Sequence, residues 1–178
     1  MAIHTHPQHL LITHERLLSL VYYDPDSGQF TWLVRRRSHG RVLEPGDPVT
    51  GCIDRHGYRI IGLDQRRYQA SRLVWFYVHK EWPIGEVDHQ DRDILNNRIS
   101  NLRDAGLNRG LQRANQKVRK DSKSGLKGVQ YKATGYGRKR WRARVAQKTI
   151  GMFATKEEAK AAYDKAAKEA FGEFFRPE

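Results

Sequence analysis

The stretch that decides the fold runs from Ala70 to Ala105, ASRLVWFYVHKEWPIGEVDHQDRDILNNRISNLRDA. Its opening, SRLVWFYVH from Ser71 to His79, predicts a compact aromatic helix. Trp75 and Phe76 belong to its core side, and Arg72 is the polar exception. Beyond Trp82-Pro83 the pattern turns irregular. Asp88-His89 follows the apolar Val87 and precedes a polar, turn-rich segment. Asn96, Asn97 and Asn101 all lie within 12 residues of His89. A carboxylate beside a histidine is what a metal-assisted hydrolase needs. The carboxylate offers oxygen to a hard divalent cation. The imidazole takes a proton from water, and the metal stabilises charge on a phosphate and its leaving oxygen. Taken alone, the same pair is also what an exposed polar loop offers.

Working outward, the 178 residues leave room for one or two compact domains. Apolar residues make up 38% and charged residues 30%, enough for a core that is thin if split in two. No apolar run approaches the roughly 18 residues of a membrane span. The leading MAIHTHPQHL lacks a basic-then-apolar signal pattern. No membrane partner is expected. The lone Cys52 excludes a disulfide framework or a Cys-rich zinc site, and points to a reducing, cytoplasmic compartment. The net charge of +13 is concentrated. Between Leu107 and Ile150 stand 14 Lys/Arg and one acid, Asp121, while the rest balances at 19 basic and 19 acidic residues. A uniformly basic surface would not be distributed this way. Arg138, Lys139, Arg140, Arg142 and Arg144 cluster around Trp141, near Tyr131 and Tyr136. That mixture suits phosphate contact with stacking or packing, and so a nucleic-acid partner, which the family resemblance given below makes double-stranded DNA. A solvated lysine-rich linker is the blander alternative. No long amphipathic helix supports a membrane-surface reading.

Upstream, residues 1–12 are polar and His-rich and read as a frayed tail. Thr13 caps a short helix with the apolar face Leu17, Leu18 and Val21. Asp24-Pro25-Asp26-Ser27-Gly28 is a turn, and Phe30, Trp32 and Val34 alternate as in a strand. Residues 35–48 read as a basic loop. Its Arg35, Arg36, Arg37 and Arg41 either contact DNA or simply face solvent. Val49–Ile53 and Tyr58–Leu63 predict a hairpin around His56-Gly57, with Tyr68 in a further strand or the next turn. Downstream, residues 107–118 have helical potential and run into VRKDSKSG. GVQYKA, KRWRARV and KTIGMFA predict three short strands. Thr155 with Glu158 forms a capping box for a helix whose apolar face is built on Ala159, Ala162, Tyr163, Ala166, Ala167 and Ala170. Gln130, Lys132, Arg140, Arg142 and Arg144 share the opposite, front face of the sheet.

The 70–105 stretch resembles the HNH endonuclease domain of phage homing endonucleases. The matching elements are S-R-L-V-W, W-P, V-D-H and N-N-R-I-S-N-L-R. The segment from LLSLVYYDPDSGQFTWLVRRR through GYRIIGLDQRRYQASRLVWFY is similar to the leader of such proteins. GLKGVQYKATGYGRKRWRARVAQKTIGMFATKEEAKAAYDKAAKEAFGEF resembles the ethylene-response-factor (APETALA) DNA-binding domain. The resemblance implies an α+β chain. A β-rich leader with a ββα-metal nuclease domain spans 13–115, a basic linker 116–125, and a three-stranded antiparallel sheet packed on one helix 126–178. It implies DNA phosphodiester hydrolysis with a divalent metal, magnesium or manganese, and no small-molecule substrate. Asp88 takes the place of the metal-ligand aspartate and His89 that of the general base. Asn97 and Asn101 take the place of asparagines that brace the motif. The sheet would meet the major groove through Gln130, Lys132, Arg138, Lys139, Arg140, Trp141, Arg142 and Arg144, with Trp141 either packed or stacked on a base.

The sequence also departs from that pattern. The family's second metal ligand, an asparagine, falls at Gly110, which has no side-chain oxygen. Asn108 and Asn115 are the nearest substitutes, but offsets of two and five residues turn them about 200° and about 140° away on a helix. Gly106 stands where a Thr is usual, Arg113 for another Asn, Ser71 for a His and Arg92 for a Gly. Two functions remain open: an active HNH endonuclease, or a cleavage-impaired relative that binds DNA as a regulator or competitor. A small basic RNA binder would explain the charge but not the spacing of Asp88-His89 with Asn97 and Asn101.

Overall fold

The computed structural model describes residues 12–38, 40–106, 111, 114–115, 117–118, 122–132 and 140–177. The chain divides into two compact units, Met1–Gly106 and Leu107–Glu178. The division falls ahead of the 116–125 segment. Each unit has its own hydrophobic core.

In the first unit, Thr13 caps α1 (His14–Leu20), its hydroxyl accepting from the Arg16 N–H at 3.2 Å. Leu17 and Leu20 are buried, whereas Leu18 is 39% exposed. Of the expected face, Leu17 and Val21 are buried and only Leu18 is not; Val21 already belongs to a strand. Its side chain follows the strand pleat, and Leu20 fills the inward slot three residues after Leu17. Strand β1 (Val21–Asp24) pairs with β2 (Gln29–Trp32) across the Asp24–Gly28 turn, where the Ser27 hydroxyl donates to Asp24 Oδ2 at 2.5 Å. Gly28 has φ +74°, and a Cβ there would lie 2.6 Å from the Arg98 nitrogen. Glycine is therefore required twice, by conformation and by close approach.

The expected 35–48 loop contains a hairpin, β3 (Arg36–Ser38) with β4 (Arg41–Leu43). Strands of three residues, four of the six being Arg or Ser, carry no apolar alternation by which to be recognised. Strands β5 (Cys52–Ile53), β6 (Arg59–Leu63) and β7 (Arg66–Gln69) form an antiparallel sheet in that order. The β6–β7 turn puts both Asp64 and Gln65 at positive φ, 46° and 62°, as a two-residue hairpin demands. Tyr68 thus lies in a strand and leads directly into α2 (Ala70–His79). That helix buries Leu73, Val74 and Phe76 in a core shared with Leu17, Ile61 and Leu63. Trp75 is half-buried at its edge. Trp82 stacks on Phe76 with ring centroids 4.3 Å apart and covers the end of the helix. The unit ends in a ribbon of β8 (Val87–His89) and β9 (Leu102–Asp104), with a short 3-10 helix, Ile99–Asn101, between them.

The second unit is an antiparallel sheet of β10 (Val129–Tyr131), β11 (Trp141–Val145) and β12 (Lys148–Phe153), with β11 central. Helix α3 (Lys156–Phe171) packs on it through Ala159, Tyr163 and Ala167, spaced four apart. Ala170, expected on that face, is exposed. The Thr155 hydroxyl accepts from the Glu158 N–H at 3.1 Å, and the Glu158 carboxylate reaches back to the Ala154 N–H at 3.2 Å. This closes the capping box one residue earlier than its usual form. Ala143 and Gly128 admit the helix closely; a Cβ on Gly128 would enter the Tyr163 ring. Leu111, Ala114 and Asn115 are helical, and Ala114 and Asn115 are buried. Among the described residues, no helix is long and apolar enough to cross a membrane.

Candidate active site

The candidate residues converge on the β8–β9 ribbon. Asp88 and His89 are 5% and 4% exposed, so the pair is buried on a strand and is no exposed loop. In the register, Asp88 lies opposite Arg103 and His89 opposite Leu102. Arg103 Nη2 meets Asp88 Oδ2 at 2.6 Å, and both side chains are nearly inaccessible. Two opposite charges buried together at this distance compensate one another.

His89 is oriented from the connecting loop. Its Nε2 lies 3.2 Å from Asn97 Oδ1. Asn97 Nδ2 donates to the Leu95 carbonyl at 3.3 Å, which turns the amide oxygen toward the ring. An amide oxygen only accepts, so the contact directs an Nε2 proton at Asn97. The Tyr58 ring lies beside His89, with centroids 6.3 Å apart. Burial, helped by Glu86, Asp54 and Asp88, pushes the Tyr58 phenol above its ordinary range. Next to it, Gly57 abuts the Ile94 side chain. The β5–β6 turn of the leader thus packs on the site.

The loop that carries Asn97 is held by a polar lattice. Asn101 Nδ2 donates to Asp91 Oδ1 and to the Asn96 carbonyl, both at 2.9 Å. Asn101 Oδ1 accepts from the Asp91 N–H at 3.0 Å. Arg92 adopts φ +68°. A left-handed residue here explains why the resembled family places glycine at this position. The leader clamps the other side: the Tyr23 hydroxyl donates to the Asn97 carbonyl at 3.0 Å and accepts from the Ile99 N–H at 2.9 Å. Burial raises the Tyr23 phenol and keeps it a neutral donor.

Burial alone would raise the Asp91 carboxyl. Hydrogen bonds from Asn96, the Asp93 N–H and Asn101, with the nearby His89, outweigh it and hold Asp91 below its ordinary range. A lowered carboxylate stabilises the fold above its unfolded value, and that contribution is lost as pH falls through the folded one. Asp91→Asn is therefore expected to lower the urea midpoint most above about pH 4, with the gap to the native chain closing in more acid solution. A gap independent of pH would contradict this role.

A divalent ion would need several donors at this site. Among the described residues, no group of three His, Cys, Asp or Glu is placed to hold a metal. The one carboxylate the motif offers, Asp88, already faces the Arg103 guanidinium. Hard cations need several oxygens, so the described residues do not by themselves fit a tightly held ion. Gly110 and Asn108 lie outside the described residues, and Asn115 is buried in the second unit.

The expected DNA-contacting residues lie in the second unit. Gln130 and Arg142 are cross-strand partners, with Arg142 Nη2 donating to Gln130 Oε1 at 2.6 Å. Arg144 lies two residues on, on the same face, its Nη2 on the Gln147 carbonyl at 2.6 Å. Lys132 and Arg140 continue the face past the strand ends, joined by a Lys132 N–H bond to the Arg140 carbonyl at 2.8 Å. Trp141 points the other way, packed against the core and edge-on to Tyr131 at 5.1 Å. Arg138 and Lys139 lie outside the described residues.

Sequence reasoning passed over Arg103 and Tyr58. The cross-strand register that pairs Arg103 with Asp88 cannot be read from a linear motif. Tyr58 reaches His89 from a turn 31 positions upstream, and an aromatic in a hairpin carries no sign of such a contact.

Compared with known families, residues 68–104 match the family model described as HNH endonuclease. Asp88, His89, Asn97, Asn101 and Arg103 all fall inside the match, which supports a nuclease at the family level. No curated protein and no solved structure matches the chain.

Proposed function

We propose that the chain, which carries an HNH endonuclease domain over residues 68–104, is a DNA endonuclease of the homing type. It hydrolyses phosphodiester bonds of double-stranded DNA held by the basic sheet of the second unit. One observation carries the reading: the contact of His89 Nε2 with Asn97 Oδ1, which orients the ring so that Nδ1 is the nitrogen that would act as the base. In that role a water oxygen attacks phosphorus as its proton passes to Nδ1, one P–O ester bond breaks, and the departing oxygen keeps the bonding pair and takes a proton from solvent water. Nucleases of this family generally use a divalent metal. In this chain Asp88 is the residue that would meet it. The test is incubation of the full chain with supercoiled plasmid and magnesium or manganese. Relaxed or linear product is expected, and none with either ion would sink the nuclease reading.

A second reading has one observation in its favour. Asp88 is buried and already compensated by Arg103, an arrangement that suits a DNA-binding relative without cleavage. Gly110→Asn separates the two. If the missing oxygen donor limits the site, this change is expected to raise both manganese affinity, read by calorimetry, and the nicking rate. An unchanged affinity and rate would show that Gly110 is not the limiting departure.

A further inference from the structure

The β3–β4 hairpin of the leader belongs to no part of the site described above. Among the described residues it pairs with no other strand and forms a two-stranded sheet by itself. Between Arg35 and Leu43 it has four arginines and no acid. Its root is fixed: Arg36 lies 4.1 Å over the Trp32 ring, Arg35 pairs with Glu44 at 3.0 Å, and Leu43 packs against the core. Its outer part is not tied down in this way. Arg37 and Arg41 are exposed, and among the described residues neither forms an ion pair.

We infer that this hairpin is a second contact for duplex DNA, separate from the sheet of the second unit. The inference rests on the reading that the chain acts on duplex DNA. Register decides where the charges go. Arg41 pairs with Ser38 on the face that also bears Arg36 and Leu43, while Arg37 pairs with Val42 on the opposite face. The two arginines therefore leave the ribbon from its two sides. A two-stranded ribbon fits the major groove of B-DNA, and a ribbon seated there has a phosphate wall on each side. Protection of a sheet edge would explain isolated charges on these strands. It does not explain cations on both faces, Arg41 on one and Arg37 on the other, with no acids between them.

The test measures binding of the full chain, without divalent ions, to a random-sequence DNA duplex over a series of salt concentrations. Each lost phosphate contact lowers the slope of log affinity against log salt by about 0.9. Arg37→Ala with Arg41→Ala is expected to lower it by about two contacts' worth. Arg55→Ala with Lys80→Ala, exposed basic positions of the same unit, should leave it unchanged. An unchanged slope in the hairpin variant, or an equal drop in the control pair, overturns the inference. Better competition by duplex RNA than by duplex DNA also overturns it. Arg142→Ala with Arg144→Ala serves as a separate arm. If that variant alone loses slope, the hairpin inference fails and the DNA reading of the sheet stands. If neither variant loses slope, both fail.

Discussion

Replacing His89 with alanine is expected to reduce plasmid nicking by about 10²- to 10⁴-fold, the range a positioned general base contributes. Duplex affinity should not change, because the basic sheet lies in the other unit. The expectation follows from the tautomer. Asn97 Oδ1 accepts from His89 Nε2, so the ring is held with its basic nitrogen defined. Asn97→Ala removes that hold and leaves the imidazole in place. It should cost less than His89→Ala, because the base remains but its tautomer and angle are no longer set. Nicking rates measured at one enzyme concentration, with duplex affinity alongside, distinguish lost chemistry from lost binding. Equal nicking by native chain and His89→Ala would remove His89 from the mechanism. A loss in Asn97→Ala as large as that in His89→Ala, with a lowered melting transition, would mean that Asn97 chiefly holds the loop together.

The legibility of the fold was uneven for physical reasons. α2 and α3 carry strong periodic signals: apolar side chains recur three and four apart, and Thr155 and Glu158 mark where α3 begins. The central strand β11 alternates, because Ala143 and Val145 are buried under α3. The β3–β4 hairpin is different. Neither of its faces is buried enough to impose alternation, so it reads as a loop. The candidate residues are legible in the sequence, and their contacts with one another are not. Asp88, His89, Asn97 and Asn101 stand out by residue type and spacing. The ion pair from Arg103, the ring of Tyr58 and the Tyr23 clamp all depend on strand register or on packing of distant segments. Such contacts leave no local trace in the chain. Arg92 shows the reverse case. Its departure from glycine is visible in the sequence, and its meaning emerges only from φ +68°.

Removing the charge on Arg103 should produce the largest change in stability. Arg103→Met leaves the buried Asp88 carboxylate without its guanidinium, and loss of one partner of a buried pair costs about 3–5 kcal/mol. Urea unfolding followed by tryptophan fluorescence is a suitable readout, because Trp32, Trp75 and Trp82 all report on the first unit. Asp88→Leu combined with Arg103→Met removes both charges and should recover much of the loss, as apolar replacements of buried pairs commonly do. A double variant as unstable as Arg103→Met alone would show that packing, not charge compensation, dominates at this position. The same substitution bears on the metal. Arg103 now occupies the place at Asp88 Oδ2 that a divalent ion would contest. Without that cation, manganese should raise the unfolding midpoint of Arg103→Met more than that of the native chain, since a ligand stabilises the state it binds. Equal shifts in the two proteins would mean that the ion, if it binds, does not use that oxygen. The nuclease reading would then rest on His89 and Asn97 alone, without Asp88 as the metal-binding carboxylate.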